Sequence, residues 1–289
     1  MLRHSIAIAV STSAIFMAGC GAGNRGIPSP RSSHVFVVIE ENHSFSEVIG
    51  NSAMPYLNGL ASRYGLAAQY YADSHPSIGN YFMLTAGEIE TTDDGFTGTV
   101  SDDNIVRELV RAKRTWRSYA ESLPSAGYTG GDNYPYFKHH NPFAYFSDVI
   151  GTTQANNIVP FSQFFSDLGS GLVPDFSFIV PNVLDDAHDG SLGTADQWLN
   201  ANIDPLIKSS AFQNNGLLIV VFDESVPSDS SHGGGHVALV MIGPKVKTTY
   251  QSTSLYQHQS TLRLILSTFG VSSFPGQSLS APDMGEFFQ

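Results

Sequence analysis

Cysteine is almost absent: Cys20 is the only one in 289 residues. Without a second thiol there is no internal disulfide, so a folded domain must be held by its core. Cations are scarce as well, 14 Lys and Arg against 26 Asp and Glu, for a net charge of -12. That balance excludes a nucleic-acid surface, where clustered Lys and Arg meet the phosphates. Phosphate can still be held by an acidic chain if a metal supplies the positive charge. The G-x-S-x-G elbow of serine esterases does not occur. What is present, 42% hydrophobic and 14% charged residues, is the balance of a globular chain, with one large domain as the simplest organisation.

The first residues read as an address. Arg3 and His4 precede "SIAIAVSTSAIFMAGC" at 5–20. Its length suits the core of a signal peptide better than a spanning helix, which needs about 20 apolar residues. Cys20 ends a segment similar to a bacterial lipobox, with Met17 where Leu is usual, so the expectation is a signal peptide over 1–20 and a lipid anchor at Cys20. The competing reading is an ordinary cleaved signal with a chance cysteine. Either places the mature protein outside the cytoplasm, as a cell-envelope lipoprotein or a secreted protein. The Gly, Ser and Pro-rich stretch at 21–33 is a flexible tether, and the catalytic domain is expected over 34–289.

Four short apolar runs, "HVFVVI" at 34–39, "DFSFIVP" at 175–181, "LLIVVFD" at 217–223 and "VALVMIG" at 237–243, lack strict alternation. They suit central strands covered on both faces. Residues 103–123 read as one helix, 194–212 as a helix that Pro205 kinks or divides, and "QSTLRLILSTFG" as a helix stopped by Gly270. The expected fold is therefore α/β, a mainly parallel central sheet flanked by helices.

In such sheets ligands bind beyond the carboxyl ends of the strands. The first run ends in Glu40, Glu41 and Asn42, the second leads to Asp185, Asp186, His188 and Asp189, and the third ends in Asp223 and Glu224. His232 and His236 precede the fourth. Strand ends are often polar for no further reason, but three that converge bring together carboxylates whose repulsion a cation would offset. In "SHPSIGNYFMLTAGE" at 74–88, Pro76 and Ser77 read as a helix entry with Ser77 as the N-cap. Free N–H groups there make a natural phosphate seat. On its own, Ser77 reads as a capping serine.

"EENHSFSEVIG", "HPSIGNYFMLTAGE", "KHHNPFAYF", "PNVLDDAHDG", "VVFDES", "HVALVMIGPKVK" and "SAPDMGEFF" together resemble the bacterial phospholipase C and acid phosphatase family of phosphoesterases, within the alkaline phosphatase superfamily. The resemblance spans roughly 34–287, with Gly79 where the family has proline. It implies an alkaline-phosphatase-like fold. It also implies a divalent metal held by Glu41, Asn42, Asp223 and Glu224, and Ser77 as a nucleophile that contacts the metal. Asn80 would hold the phosphoryl oxygens, and His188 and His236 would stand around the phosphate or leaving group, with His140 a further substrate contact. A sulfatase would share the fold but needs C/S-x-P-x-R, and Ser77 is followed by Ile78 and Gly79.

Oxygen-rich ligation favours calcium, magnesium or manganese over zinc. One ion or two remains open, since Asp185 and His188 could add ligands. The expected activity is acid-phosphatase-type hydrolysis of a phosphate ester through a phosphoserine. Phospholipase C-type diester hydrolysis is the alternative, and a catalytically silent metal-binding envelope lipoprotein is the reading from a different class.

Overall fold

A computed structural model describes residue 1 and residues 31–289. The expected leader, Cys20 and the tether up to residue 30 lie outside the described residues, Met1 apart. The strands are β1 (His34–Glu40), β2 (Gly65–Ala67), β3 (Tyr70–Tyr71), β4 (Trp116–Ala120), β5 (Ile158–Pro160), β6 (Phe176–Val180), β7 (Gly216–Phe222), β8 (Leu239–Ile242), β9 (Tyr250–Ser252) and β10 (Tyr256–Gln257). The helices are α1 (Phe45–Val48), α2 (Pro55–Arg63), α3 (Ser77–Ala86), α4 (Ile105–Arg111), α5 (Ser162–Ser170), α6 (Leu192–Lys208), α7 (Ser210–Gln213) and α8 (His258–Thr268).

An eight-stranded sheet runs in the order β5-β4-β6-β1-β7-β8-β2-β9, and β3 pairs with β10 apart from it. Every pairing in the large sheet is parallel except those of β8 with β7 and β2. This is the mainly parallel α/β sheet expected. All four apolar runs are strands, and β6, β7 and β8 are buried throughout, as strands covered on both faces must be.

Two helix expectations change. Residues 103–123 are not one helix: α4 is capped by the Asn104 side chain, stops at Arg111, and gives way through a left-handed Lys113 to β4. Trp116 and Tyr119 suit a strand, and pairing of β4 with β6 sixty residues away overrides the helical propensity of the Arg and Ala around them. Pro205 does not divide α6, which runs on to Lys208. The break falls instead at Ser209, whose hydroxyl caps α7.

Aromatic side chains fill the layer between α3 and the sheet. Phe178 lies 5.2 Å from the Phe143 ring and 6.3 Å from that of Tyr81. Phe178→Ala should cost about 3–5 kcal/mol, the usual range for emptying a buried aromatic site, read as a lower urea midpoint with an unchanged slope.

The antiparallel direction of β8 matters to the site. Its amino end lies beside the carboxyl ends of β1 and β7, so the His232–His236 loop reaches the same edge as the acidic strand ends.

Candidate active site

Backbone hydrogen bonds stitch the three acidic turns together before any side chain is considered. Glu41 N donates to Asp186 O at 2.8 Å, and Asp223 N donates to Glu40 O at 2.9 Å. Asn42 sits in the left-handed region at φ 52°, a conformation Asn tolerates better than most residues. Its N–H donates to Asp223 Oδ1 at 3.2 Å.

α3 brings the serine to this point. Ser77 is the first residue of the helix, with Pro76 rather than Ser77 as the N-cap, so the hydroxyl is not spent on capping. It donates toward Glu41 Oε2 at 3.2 Å and Asn42 Oδ1 at 3.3 Å. One turn later on the same face, Tyr81 donates to Glu41 Oε1 and stacks on His140 with ring centroids 5.1 Å apart. His140 Nε2 lies 3.5 Å from Glu41 Oε1, and its Nδ1 lies 3.8 Å from Asp186 Oδ2. Ring atoms of His188 approach His140 at 5.7 Å between centroids, and His188 Nδ1 is 2.8 Å from Asp189 Oδ1.

Glu41, Asn42, Ser77 and Asp223 thus converge, with His140 against them and His188 behind it. Glu224 adjoins through a second set of contacts, Asn80 Nδ2 at 3.4 Å and His75 Nδ1 at 3.1 Å. Asn80 is buried and its amide is engaged: Oδ1 accepts from Asp73 N and Ser74 N, and Nδ2 donates to Ser74 O. His236 is turned elsewhere. Its ring stacks on Phe45 at 4.4 Å and Tyr71 at 4.8 Å, and its Nε2 lies 3.0 Å from Ala68 O. At the helix start, Ile78 N–H is already held by Asp94 Oδ1 at 3.2 Å.

Two participants, Tyr81 and His75, were not singled out from the sequence, and a third, Asp186, stood there only as one of several neighbouring acids. Asp186, not its half-exposed neighbour Asp185, is the buried carboxylate of "DDAHDG". Tyr81, four residues after Ser77, lies on the same helix face. His75 meets Glu224.

Burial is the largest cause pushing the carboxyls of Glu41, Asp186 and Asp223 upward. Repulsion from neighbouring acids adds to it at Glu41 and Asp186, whereas Asp223 reaches only about 6 because hydrogen bonds from Ser77 and Asn42 pull it back. Burial and the charge of Asp223 lift Glu224 to about 9. His140 is held well below the usual imidazole range, by burial first and then by His139 and His188.

The donor set suits a cation. Asp186 Oδ2, Asp223 Oδ2 and both His140 nitrogens are buried without hydrogen-bond partners. Glu41, His140 and Asp186 offer ligand atoms all within 4.8 Å of one another, a group that could hold a metal ion. Turned one way, the Asn42 amide donates to Glu41 Oε2 and Asp223 Oδ1; turned the other, its oxygen accepts from Ser77 and faces both carboxylates, an arrangement that a shared cation or a carboxyl proton relieves.

Gly79 has a structural reason to be there: a Cβ would meet Ser74 Oγ at 2.2 Å. Gly79→Ala should destabilise by about 1–2 kcal/mol through overpacking. Adding Ser74→Ala should restore most of that loss in thermal unfolding.

The chain matches the family described as Phosphoesterase family over residues 51–272. It is 36% identical over 242 residues to a phosphatidylinositol-3-phosphatase of Mycobacterium tuberculosis, covering 82% of this chain and 77% of that one. It is 30% identical over 229 residues to a phosphate-repressible acid phosphatase of Penicillium chrysogenum, covering 75% of this chain but only 55% of the relative. Among solved structures, a protein in the alkaline phosphatase superfamily from Vibrio parahaemolyticus superposes with a TM-score of 0.63 at 15% identity, over 88% of this chain and 71% of that one. A phosphonate monoester hydrolase of Agrobacterium radiobacter gives 0.56 at 13% identity, over 89% and 77%. At those identities the two structures speak for the fold alone.

Proposed function

The chain belongs to the phosphoesterase family, as a hydrolase of phosphoric ester bonds, and from that premise we propose that it is a metal-dependent phosphomonoesterase of acid-phosphatase type with Ser77 as nucleophile. One observation carries the reading: a serine at the start of a buried helix points its hydroxyl at Glu41 and Asn42 instead of capping.

Glu41, Asn42, Asp223 and Glu224 would hold the cation, with His140 and Asp186 completing the set or holding a second ion. When bound, the cation lowers the cost of ionising Ser77 and offsets phosphoryl charge. Oxygen ligands favour calcium, magnesium or manganese over zinc. The chain's own part is to place Ser77 Oγ in line with the phosphorus and accept the phosphoryl group as phosphoserine. Asp189 holds His188 Nδ1, which leaves Nε2 to carry a proton to the leaving oxygen and later to take one from the attacking water. Asn80 acts at one remove in this scheme, fixing the 73–77 turn and Glu224, and His236 positions the loop between Phe45 and Tyr71. Names of the acid phosphatase relatives support the monoester over the phospholipase C-type diester.

The test is hydrolysis of p-nitrophenyl phosphate beside bis-p-nitrophenyl phosphate by the metal-loaded full chain. The monoester should be preferred by about tenfold or more in kcat/KM, a difference of about 1.4 kcal/mol. Faster cleavage of the diester reverses the assignment, and no cleavage of either favours the silent binding protein.

Export and a Cys20 anchor are proposed on sequence grounds. Labelling of the full chain with palmitate in a bacterial host should be lost in Cys20→Ala; retained label rejects the anchor.

A further inference from the structure

A cleft of about 320 Å³ borders the proposed site and takes no part in the chemistry above. Its walls include Asp94, Phe96, Thr97, Thr129, Asp132 and Lys138. Two links tie it to the nucleophile. Asp94 Oδ1 accepts the N–H of Ile78, the residue after Ser77, and Lys138 opens the short helical turn that carries His140.

The cleft's polar groups are half spent. Asp94 uses one carboxylate oxygen on Ile78 N, and Asp132 uses one on Lys138 N at 2.7 Å. That leaves each with a second acceptor oxygen. Lys138 Nζ lies 4.1 Å from the centre of the Tyr145 ring and, among the described residues, has no carboxylate within salt-bridge distance. Phe96 stacks on Tyr145 with centroids 5.7 Å apart. A Cβ on Gly98 would meet the Phe96 ring at 2.4 Å, so glycine leaves the room that ring occupies.

Two carboxylate acceptors, an ammonium donor, two threonine hydroxyls and an aromatic face are an unsuitable lining for an alkyl chain. Two carboxylates against one ammonium also argue against a second anionic group. The same lining suits vicinal hydroxyls, which donate to carboxylates and accept from lysine, around a ring whose C–H face packs on an aromatic. We propose that this cleft binds the leaving-group half of the substrate and selects a hydroxylated ring, a sugar or a cyclitol, esterified to the phosphate that Ser77 attacks. The inference rests on the phosphomonoesterase reading and adds the substrate class to it.

Matched substrates test it. myo-Inositol 1-phosphate and cyclohexyl phosphate share a ring and a secondary alkoxide and differ in hydroxyls; glucose 6-phosphate and hexyl phosphate form a second pair for the sugar arm. The metal-loaded full chain should favour the hydroxylated member of at least one pair by about tenfold or more in kcat/KM, expressed mainly in KM, because polar groups left unpaired by the analogue disfavour it. Asp132→Asn keeps an oxygen for Lys138 N–H but loses a charged acceptor, and Lys138→Gln loses the ammonium. Each should lower that preference about fivefold or more, with the larger part of the loss on the hydroxylated substrate. Equal rates within both pairs, or a preference untouched by both variants, overturns the proposal.

If the parent hydrolyses none of the four and leaves p-nitrophenyl phosphate intact as well, the phosphomonoesterase reading has failed separately. Calorimetric titration of the Ser77→Ala protein with the same pairs then still decides the cleft: tighter binding of a hydroxylated member supports it, and equal binding rejects it.

Discussion

Ser77→Ala should lose at least about 10³-fold in kcat on a phosphomonoester while remaining folded, as removal of a nucleophile does in other covalent hydrolases. The Ser77 hydroxyl lies 3.2 Å from Glu41 Oε2 and 3.3 Å from Asn42 Oδ1, among the proposed metal ligands. Alanine keeps the helix start, because Pro76 and not Ser77 is the N-cap. The structural loss is one buried hydroxyl with hydrogen bonds worth about 1 kcal/mol, so the thermal midpoint should move by only a few degrees. Rapid-quench labelling with a ³²P substrate should trap a phosphoserine in the parent and none in the variant. A Ser77→Ala protein with parental kcat rejects the mechanism outright.

The second large effect is on stability, and its sign depends on the cation. Without metal, the carboxyls of Glu41, Asp186, Asp223 and Glu224 all have folded pKa values raised above those of the unfolded chain, Asp223 to about 6 and Glu224 to about 9. Asp73 joins them at about 7, also by burial. Below about pH 6.5 the depressed imidazoles of His139, His140, His236 and His258 bind fewer protons folded than unfolded, but through the carboxyls the native state binds more protons than the unfolded state up to about pH 9. For such groups the stabilisation is complete below about pH 4 and is lost as pH rises through 6 to 9. Metal-free protein should then melt at a lower temperature at pH 9 than at pH 7, a window above the unfolded imidazole range.

A divalent cation should invert that trend, since it binds the ionised carboxylates of the folded site. At a free concentration of a hundred times Kd the gain is about 2.7 kcal/mol, or roughly 5–10 °C for a domain of this size. Calcium, magnesium and manganese should each be tried against a sodium control at equal ionic strength, and chelator should remove both the shift and the phosphatase activity. Glu41→Gln should lessen both the pH slope and the response to the cation. If no divalent cation raises the midpoint more at pH 8 than at pH 5, the cluster is not a metal site.

The acidic strand ends were legible because their chemistry is local. "HVFVVIEEN" and "LLIVVFDE" each show an apolar run followed at once by acids, and the rule for open sheets places such residues at one edge. Ser77 was legible as a helix entry, though not as a hydroxyl freed from capping. The places where sequence reading fell short share a cause. Residues 103–123 carry an apolar spacing compatible with one helix, and pairing of 116–120 with β6 and β5 makes that part a strand. Asp185 and Asp186 are adjacent acids, and the backbone bond from Glu41 N to Asp186 O decides which one is drawn into the cluster.

By itself, then, the sequence determined the α/β class, the central strands and the pool of acids and imidazoles at their ends, because alternation, burial and turn chemistry act over a few residues. Tertiary structure alone decided the rest. The antiparallel course of β8 brings the His232–His236 loop to the acidic edge, yet stacking on Phe45 and Tyr71 turns His236 aside. The face of α3 that carries Ser77 and Tyr81 meets Glu41 from thirty-six and forty residues away in the chain. Which side chains share a cation is a matter of approach to within a few ångströms between segments distant in sequence, and no local pattern encodes that distance.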